Sequence, residues 1–167
     1  MTERPAAREV RAEARAEGRP LAVHWLEFRA GYRDVDSMGI VYYGVYADWF
    51  TRGRIELMRS VGVRYADWER QGLFLPVLRL ECQYRSSIGL DDPVRLQTEL
   101  AACSRTRMLF RYRVYRAGEE GQPDVLCALG LTDHAYVDER RRPIDLRKRF
   151  PHVWESLAPI AGGERGN

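Results

Sequence analysis

Lysine is almost missing from this 167-residue chain: Lys148 stands alone among 27 basic residues, so arginine carries nearly all of the positive charge. Arginine forks suit phosphate oxygens. The preference runs through the whole chain, however, and reads first as a coding bias that marks no site. A dominant charge sign is missing too, since 24 scattered acidic residues offset the basic ones to a net +3. Bulk nucleic-acid binding is not indicated. Nowhere do about 18 apolar residues run together, so no helix is expected to span a bilayer. The longest candidate, residues 39–50, is cut by Asp48.

Cysteine and histidine are scarce. Cys82, Cys103 and Cys127 are an odd number without a C-x-x-C pair, and each lies in a strand-like stretch. They are expected as reduced core residues of a cytoplasmic protein. His24, His134 and His152 are far apart, without the spacing that sets two ligands on one helix face, so no metal site is expected.

What is present is a globular balance, 45% hydrophobic and 31% charged, in a length that suits one domain. Residues 1–20 are mostly Ala, Arg and Glu and can bury little. Glu3, Glu9, Glu13 and Glu17 argue against a transit peptide, and no apolar segment there resembles a secretory signal. A flexible N-terminal tail over 1–20, a domain over 21–158 and a flexible C-terminal tail over 159–167 are expected.

Within the domain the hydrophobic period changes twice. Val23 to Ala30 alternates as a half-buried strand. From Val45 to Val61 the apolar residues Tyr46, Trp49, Phe50, Leu57 and Val61, with Gly53, recur at helical spacing, and Gly62 follows as a stop. Asp48 early and Arg54 and Arg59 late match the helix dipole. After a polar and aromatic stretch, residues 64–72, period two returns around Leu78–Tyr84, Val94–Leu100, Met108–Val114 and Val125–Val137, with turns at 89–93 and 118–123. The pattern predicts an α+β fold: an antiparallel sheet of about five strands, the last four a meander, wrapped around one long helix. Such a unit leaves a helix flank and a sheet edge for a second subunit.

The segment joining the first strand to the helix carries the chemistry. Asp34 and Asp36 sit in a Gly-containing loop just ahead of a helix N-terminus, which sets a carboxylate beside free backbone N–H donors. That pairing suits acyl transfer, with the carboxylate as nucleophile or base and the N–H groups holding an oxyanion. An Asp-rich turn without function is the plainer reading. A calcium loop is not: Met38 stands at its fifth position and Val45 at its twelfth.

The string DVDSMGIVYYGVYADWFTRGRIELMRSVG, together with the L-D-D-x-V turn at 90–94 and the V-D…R-P segment at 137–143, resembles the hotdog-fold acyl-CoA thioesterases of the 4-hydroxybenzoyl-CoA thioesterase type. The resemblance covers about His24 to Phe150. It implies hydrolysis of an acyl-CoA thioester by a homodimer or homotetramer, without cofactor or metal. It makes Asp36 the catalytic carboxylate, as nucleophile or general base, and the Tyr43 backbone N–H the oxyanion donor. Gly39 then allows a tight turn beside the substrate, Met38, Val45 and Leu75 line the acyl pocket, and Arg105 and Arg107 meet the coenzyme A phosphates. Many relatives carry Asn where this chain has Val45, which cannot make that side chain's hydrogen bonds. The alternatives are an acyl carrier protein thioesterase and a non-catalytic acyl-CoA-binding hotdog protein. No nucleic-acid or membrane partner is implied.

Overall fold

The computed structural model describes residues 18–161. Residues 1–17 and 162–167, which make up most of the two expected tails, lie outside the described residues. Five strands form one antiparallel sheet: β1 (Ala22–Arg29), β2 (Val77–Tyr84), β3 (Pro93–Cys103), β4 (Arg107–Arg116) and β5 (Val125–Ala135). The long helix α1 spans Val45–Ser60, and three short helices follow: α2 (Tyr65–Arg70), α3 (Leu146–Arg149) and α4 (Pro151–Leu157).

The stripe that predicted α1 is the face that packs on the sheet. Tyr46, Trp49, Phe50, Leu57 and Met58 are buried, and the Phe50 ring stacks on Tyr112 of β4 with centroids 4.3 Å apart. Gly53 lets the helix come close to β3, because a Cβ there would collide with Thr98 and Leu96. The helix ends as the sequence predicts: the Gly62 N–H donates to Arg59 O at 3.0 Å and the Val63 N–H to Met58 O at 2.8 Å, satisfying two carbonyls of the last turn. A sheet curled round one buried helix is the α+β hotdog architecture.

The four-strand meander is corrected. Spatial order is β1-β3-β4-β5-β2, so only β3, β4 and β5 follow one another, while β2 pairs with β5 at one edge and β1 with β3 at the other. The turn read at 89–93 is therefore part of a crossing connection between opposite sides of the sheet. Ile88 anchors that crossing in the core. On edge strand β2 the apolar residues Val77, Leu78, Leu80 and Tyr84 are exposed within the single chain.

Candidate active site

The loop between β1 and α1 is a small hairpin ordered by its own backbone. The Asp36 N–H donates to Ile40 O at 2.9 Å, the Tyr42 N–H donates to Asp34 O at 2.7 Å, and Val35 bridges Val41. Gly39 turns the tip at φ +74°, where a side chain would be strained. The hairpin is tied to the sheet by the crossing connection: the Val41 N–H donates to Ile88 O at 2.8 Å and Ile40 bridges Gly89.

Both aspartates cap amides. Asp34 Oδ2 accepts from the Gly31 N–H at 2.7 Å, and Asp36 Oδ1 accepts from the Met38 N–H at 2.8 Å. Among the described residues, Asp36 Oδ2 accepts no hydrogen bond and no cation pairs with it. Asp36 is half-buried, and Met38 and Tyr43 beside it are 74% and 66% exposed.

Tyr43 stands just ahead of α1. Among the described residues its N–H meets no acceptor, while its carbonyl accepts from the Tyr84 hydroxyl at 2.9 Å. Desolvation and the neighbouring Cys82 push the Tyr84 phenol up to about 12, so it stays protonated and donating at neutral pH. The bond ties the helix start to edge strand β2. A half-free carboxylate and an unengaged amide, held on one short hairpin and one helix start, can attack or activate water while stabilising an oxyanion.

The other expected site residues divide. Val45 opens α1 and packs on the core beside this loop. Leu75 lies at a cavity against the middle of α1, lined also by Thr51, Arg54, Ile55 and Tyr65. Arg105 and Arg107 lie at the far end of β3, which spans 11 residues. At about 3.3 Å per residue that is roughly 33 Å from the end where the hairpin docks. Arg105 pairs with Asp145, holding its carboxyl below the usual range, and Arg107 pairs with Asp133 at 2.6 Å.

Sequence reasoning missed the buried guanidinium under α1. The sequence marks Arg54 only as a late-helix charge, yet it is 8% exposed. Its spacing, four residues after Phe50 and three before Leu57, set it on the buried stripe all along. His134 is fully buried, with Nε2 2.8 Å from Thr132 Oγ1 and Nδ1 3.3 Å from Leu75 O. Burial and then the Arg54 charge pull its pKa down to about 4, so the imidazole is neutral. The cysteines are unpaired, Cys127 buried and Cys82 and Cys103 partly so. Among the described residues no three His, Cys, Asp or Glu side chains gather into a metal-binding group, and no helix is long and apolar enough to cross a membrane.

Residues 30–158 match the family described as the thioesterase-like superfamily. The chain belongs to that family, and it is an enzyme, a thioesterase. A putative acyl-CoA thioesterase, YneP of Bacillus subtilis, is 29% identical over 126 residues, which covers 75% of this chain and 88% of the relative. A DHNA-CoA thioesterase from Staphylococcus aureus superposes with a TM-score of 0.75 at 31% identity, over 84% of this chain and 91% of that one. The 4-hydroxybenzoyl CoA thioesterase of Pseudomonas sp. strain CBS-3 shares the fold, with a TM-score of 0.67 at 18% identity over 79% of this chain and 99% of that one.

Proposed function

We propose that this thioesterase hydrolyses an acyl-CoA thioester to the free acid and CoA, with Asp36 as the reacting carboxylate and the Tyr43 N–H as oxyanion donor. The observation that carries the reading is the unengaged Oδ2 of Asp36 on the hairpin that leads into the open Tyr43 amide. The thioester carbonyl oxygen accepts from the Tyr43 N–H, and the acyl group runs past Gly39, Met38 and Val45 toward Leu75. Oδ2 then either attacks the carbonyl carbon, expelling the thiolate and leaving a mixed anhydride for water to cleave, or takes a proton from the water that attacks. In both routes the thiolate leaves as CoA and takes up a proton.

The active unit is a homodimer or a tetramer built on it, with the β2 edge joined to a second copy. The exposed Val77, Leu78, Leu80 and Tyr84 on a strand with one free edge support this. Given the length of β3, Arg105 and Arg107 serve the nucleotide phosphates of a site on another subunit. Unpaired cysteines suit the cytoplasm.

The test is a steady-state panel of acyl-CoAs followed by loss of thioester absorbance, run beside light scattering. Turnover by an assembly of at least two chains is expected. No turnover of any acyl-CoA, or full activity in a 19.4 kDa species, overturns the proposal. Acyl-pantetheine, which lacks the nucleotide, should show a raised KM, and an acyl carrier protein should be the poorer donor.

A further inference from the structure

Arg54 is a buried cation without a carboxylate. It is 8% exposed, and among the described residues no acidic side chain forms an ion pair with it. Its Nε has no hydrogen-bond acceptor, and neither does the buried hydroxyl of Tyr65. Both groups line one partly open cavity of about 230 Å³, lined also by Thr51, Ile55, Trp68, Leu73, Leu75 and the exposed Glu69. A buried guanidinium left without a counter-charge is costly to the fold. The Arg54 charge acts on the neighbouring Tyr65 phenol, and a ligand acceptor in the cavity that both residues line would account for the open Arg54 Nε and Tyr65 hydroxyl.

Two elements connect this cavity to Asp36 and Tyr43. On α1, Ala47, Thr51 and Ile55 follow one another at i+4 spacing, beginning four residues after Tyr43, so a stripe leads from the start of the helix to the cavity wall. At 1.5 Å per residue Arg54 lies about 14 Å along the axis from Val45, and helical side chains lean back toward the N-terminus, which shortens the reach. The second element is β2, which starts just after Leu75 at the cavity and ends at Tyr84, whose hydroxyl bonds Tyr43 O.

We propose that the cavity receives the far end of the substrate's acyl group and that this end is a carboxylate, paired with Arg54 and hydrogen-bonded by Tyr65. A carboxylate supplies the full negative charge that the site lacks and matches the fork of a guanidinium with two oxygens. The apolar walls from Ile55, Trp68, Leu73 and Leu75 suit a methylene stem. The substrate class is then an ω-carboxyacyl-CoA, an inference that rests on the acyl-CoA reading above.

The experiment compares kcat/KM for adipyl-CoA with hexanoyl-CoA and for suberyl-CoA with octanoyl-CoA, in wild type, Arg54→Met and Tyr65→Phe. A charge-assisted contact predicts a wild-type preference for the ω-carboxyl member of about tenfold to a hundredfold. That ratio should collapse toward one in Arg54→Met and fall part of the way in Tyr65→Phe, which removes a single hydroxyl and stands in if the Arg54 variant does not fold. Free suberate, read by its shift of Tm, binds without any thioester and should stabilise wild type but not the Arg54 variant. A wild-type ratio near one, or a ratio unchanged by both substitutions, overturns the subsite while leaving thioester hydrolysis intact. If no acyl-CoA is hydrolysed and suberate still stabilises wild type through Arg54, the hydrolase reading fails and the anion site stands. Suberate without effect on Tm counts against the site in either case.

Discussion

The two halves of the segment from Gly31 to Ser60 are held by different forces. The body of α1 is held by packing: Phe50, Leu57 and Met58 are wholly buried, and Phe50 is clamped between the Tyr112 ring and the β5 backbone at Gly130. The hairpin before it sets Val41 in the core but leaves Tyr32, Met38 and Tyr43 exposed, and keeps its shape mainly through backbone hydrogen bonds and two aspartate caps. Packing resists substitution poorly, because a lost side chain leaves a void. A hydrogen-bonded turn tolerates any side chain that leaves the amides satisfied. Reacting groups on such a turn can be altered at little cost to the fold, so stability and rate should respond to different halves.

The largest effect is expected in the packed half. Phe50→Ala removes a fully buried ring and should cost about 3–5 kcal/mol of unfolding free energy, measured from the denaturant midpoint. A loss under about 1 kcal/mol would mean that the ring stack does not fasten the helix to the sheet. Next comes the hairpin. Asp36→Asn keeps an oxygen for the Met38 N–H and removes the charge, so kcat should fall about a hundredfold or more while the midpoint stays within about 0.5 kcal/mol of wild type. Comparable turnover in a well-folded Asp36→Asn protein would remove the carboxylate from the mechanism.

The same contrast governs what the sequence revealed. Periodicity announced α1 and all five strands, since a buried stripe leaves a spacing that composition cannot hide. It failed for the position of β2, because alternation says which residues share a face and nothing about which strand is the neighbour. The short helices α2, α3 and α4 were not anticipated; none is long enough to repeat a pattern. Asp36, Gly39 and Tyr43 could be read together because a single hairpin joins them. The pocket of Arg54, Tyr65 and Leu75 is assembled from three separate segments, so the resemblance points to Leu75 alone, while Arg54 on an apolar stripe is a signal visible in the spacing.

A buried base should report on the packed half through pH. His134 has its pKa lowered from 6.5 to about 4, so between those values the unfolded chain binds a proton that the folded chain refuses. Stability should therefore fall as pH drops from about 6.5 toward 4, with a slope approaching about 1.4 kcal/mol per pH unit. Asp124, Asp138 and Asp145 have lowered values, below 3.8, so their contributions are lost only at more acidic pH. His134→Gln should flatten the slope in the upper window, as followed by Tm against pH. An unchanged slope would assign the pH response to other groups.

The smallest effect is expected at Asp34, two residues from Asp36 on the same hairpin and different in task. Its Oδ2 caps the exposed Gly31 N–H, and its backbone carbonyl, which a side-chain change leaves in place, accepts from Tyr42. In Asp34→Asn the amide oxygen can still accept from Gly31, so the loss is the difference between a charged and a neutral acceptor, about 1 kcal/mol or less at an exposed site. The midpoint should shift slightly and kcat should stay close to that of wild type. Measured beside Asp36→Asn, this pair isolates chemistry from turn formation, since the two substitutions are identical in kind and nearly identical in place. If Asp34→Asn lowers kcat as far as Asp36→Asn does, the two carboxylates act as a unit and the division between a capping and a reacting aspartate is wrong.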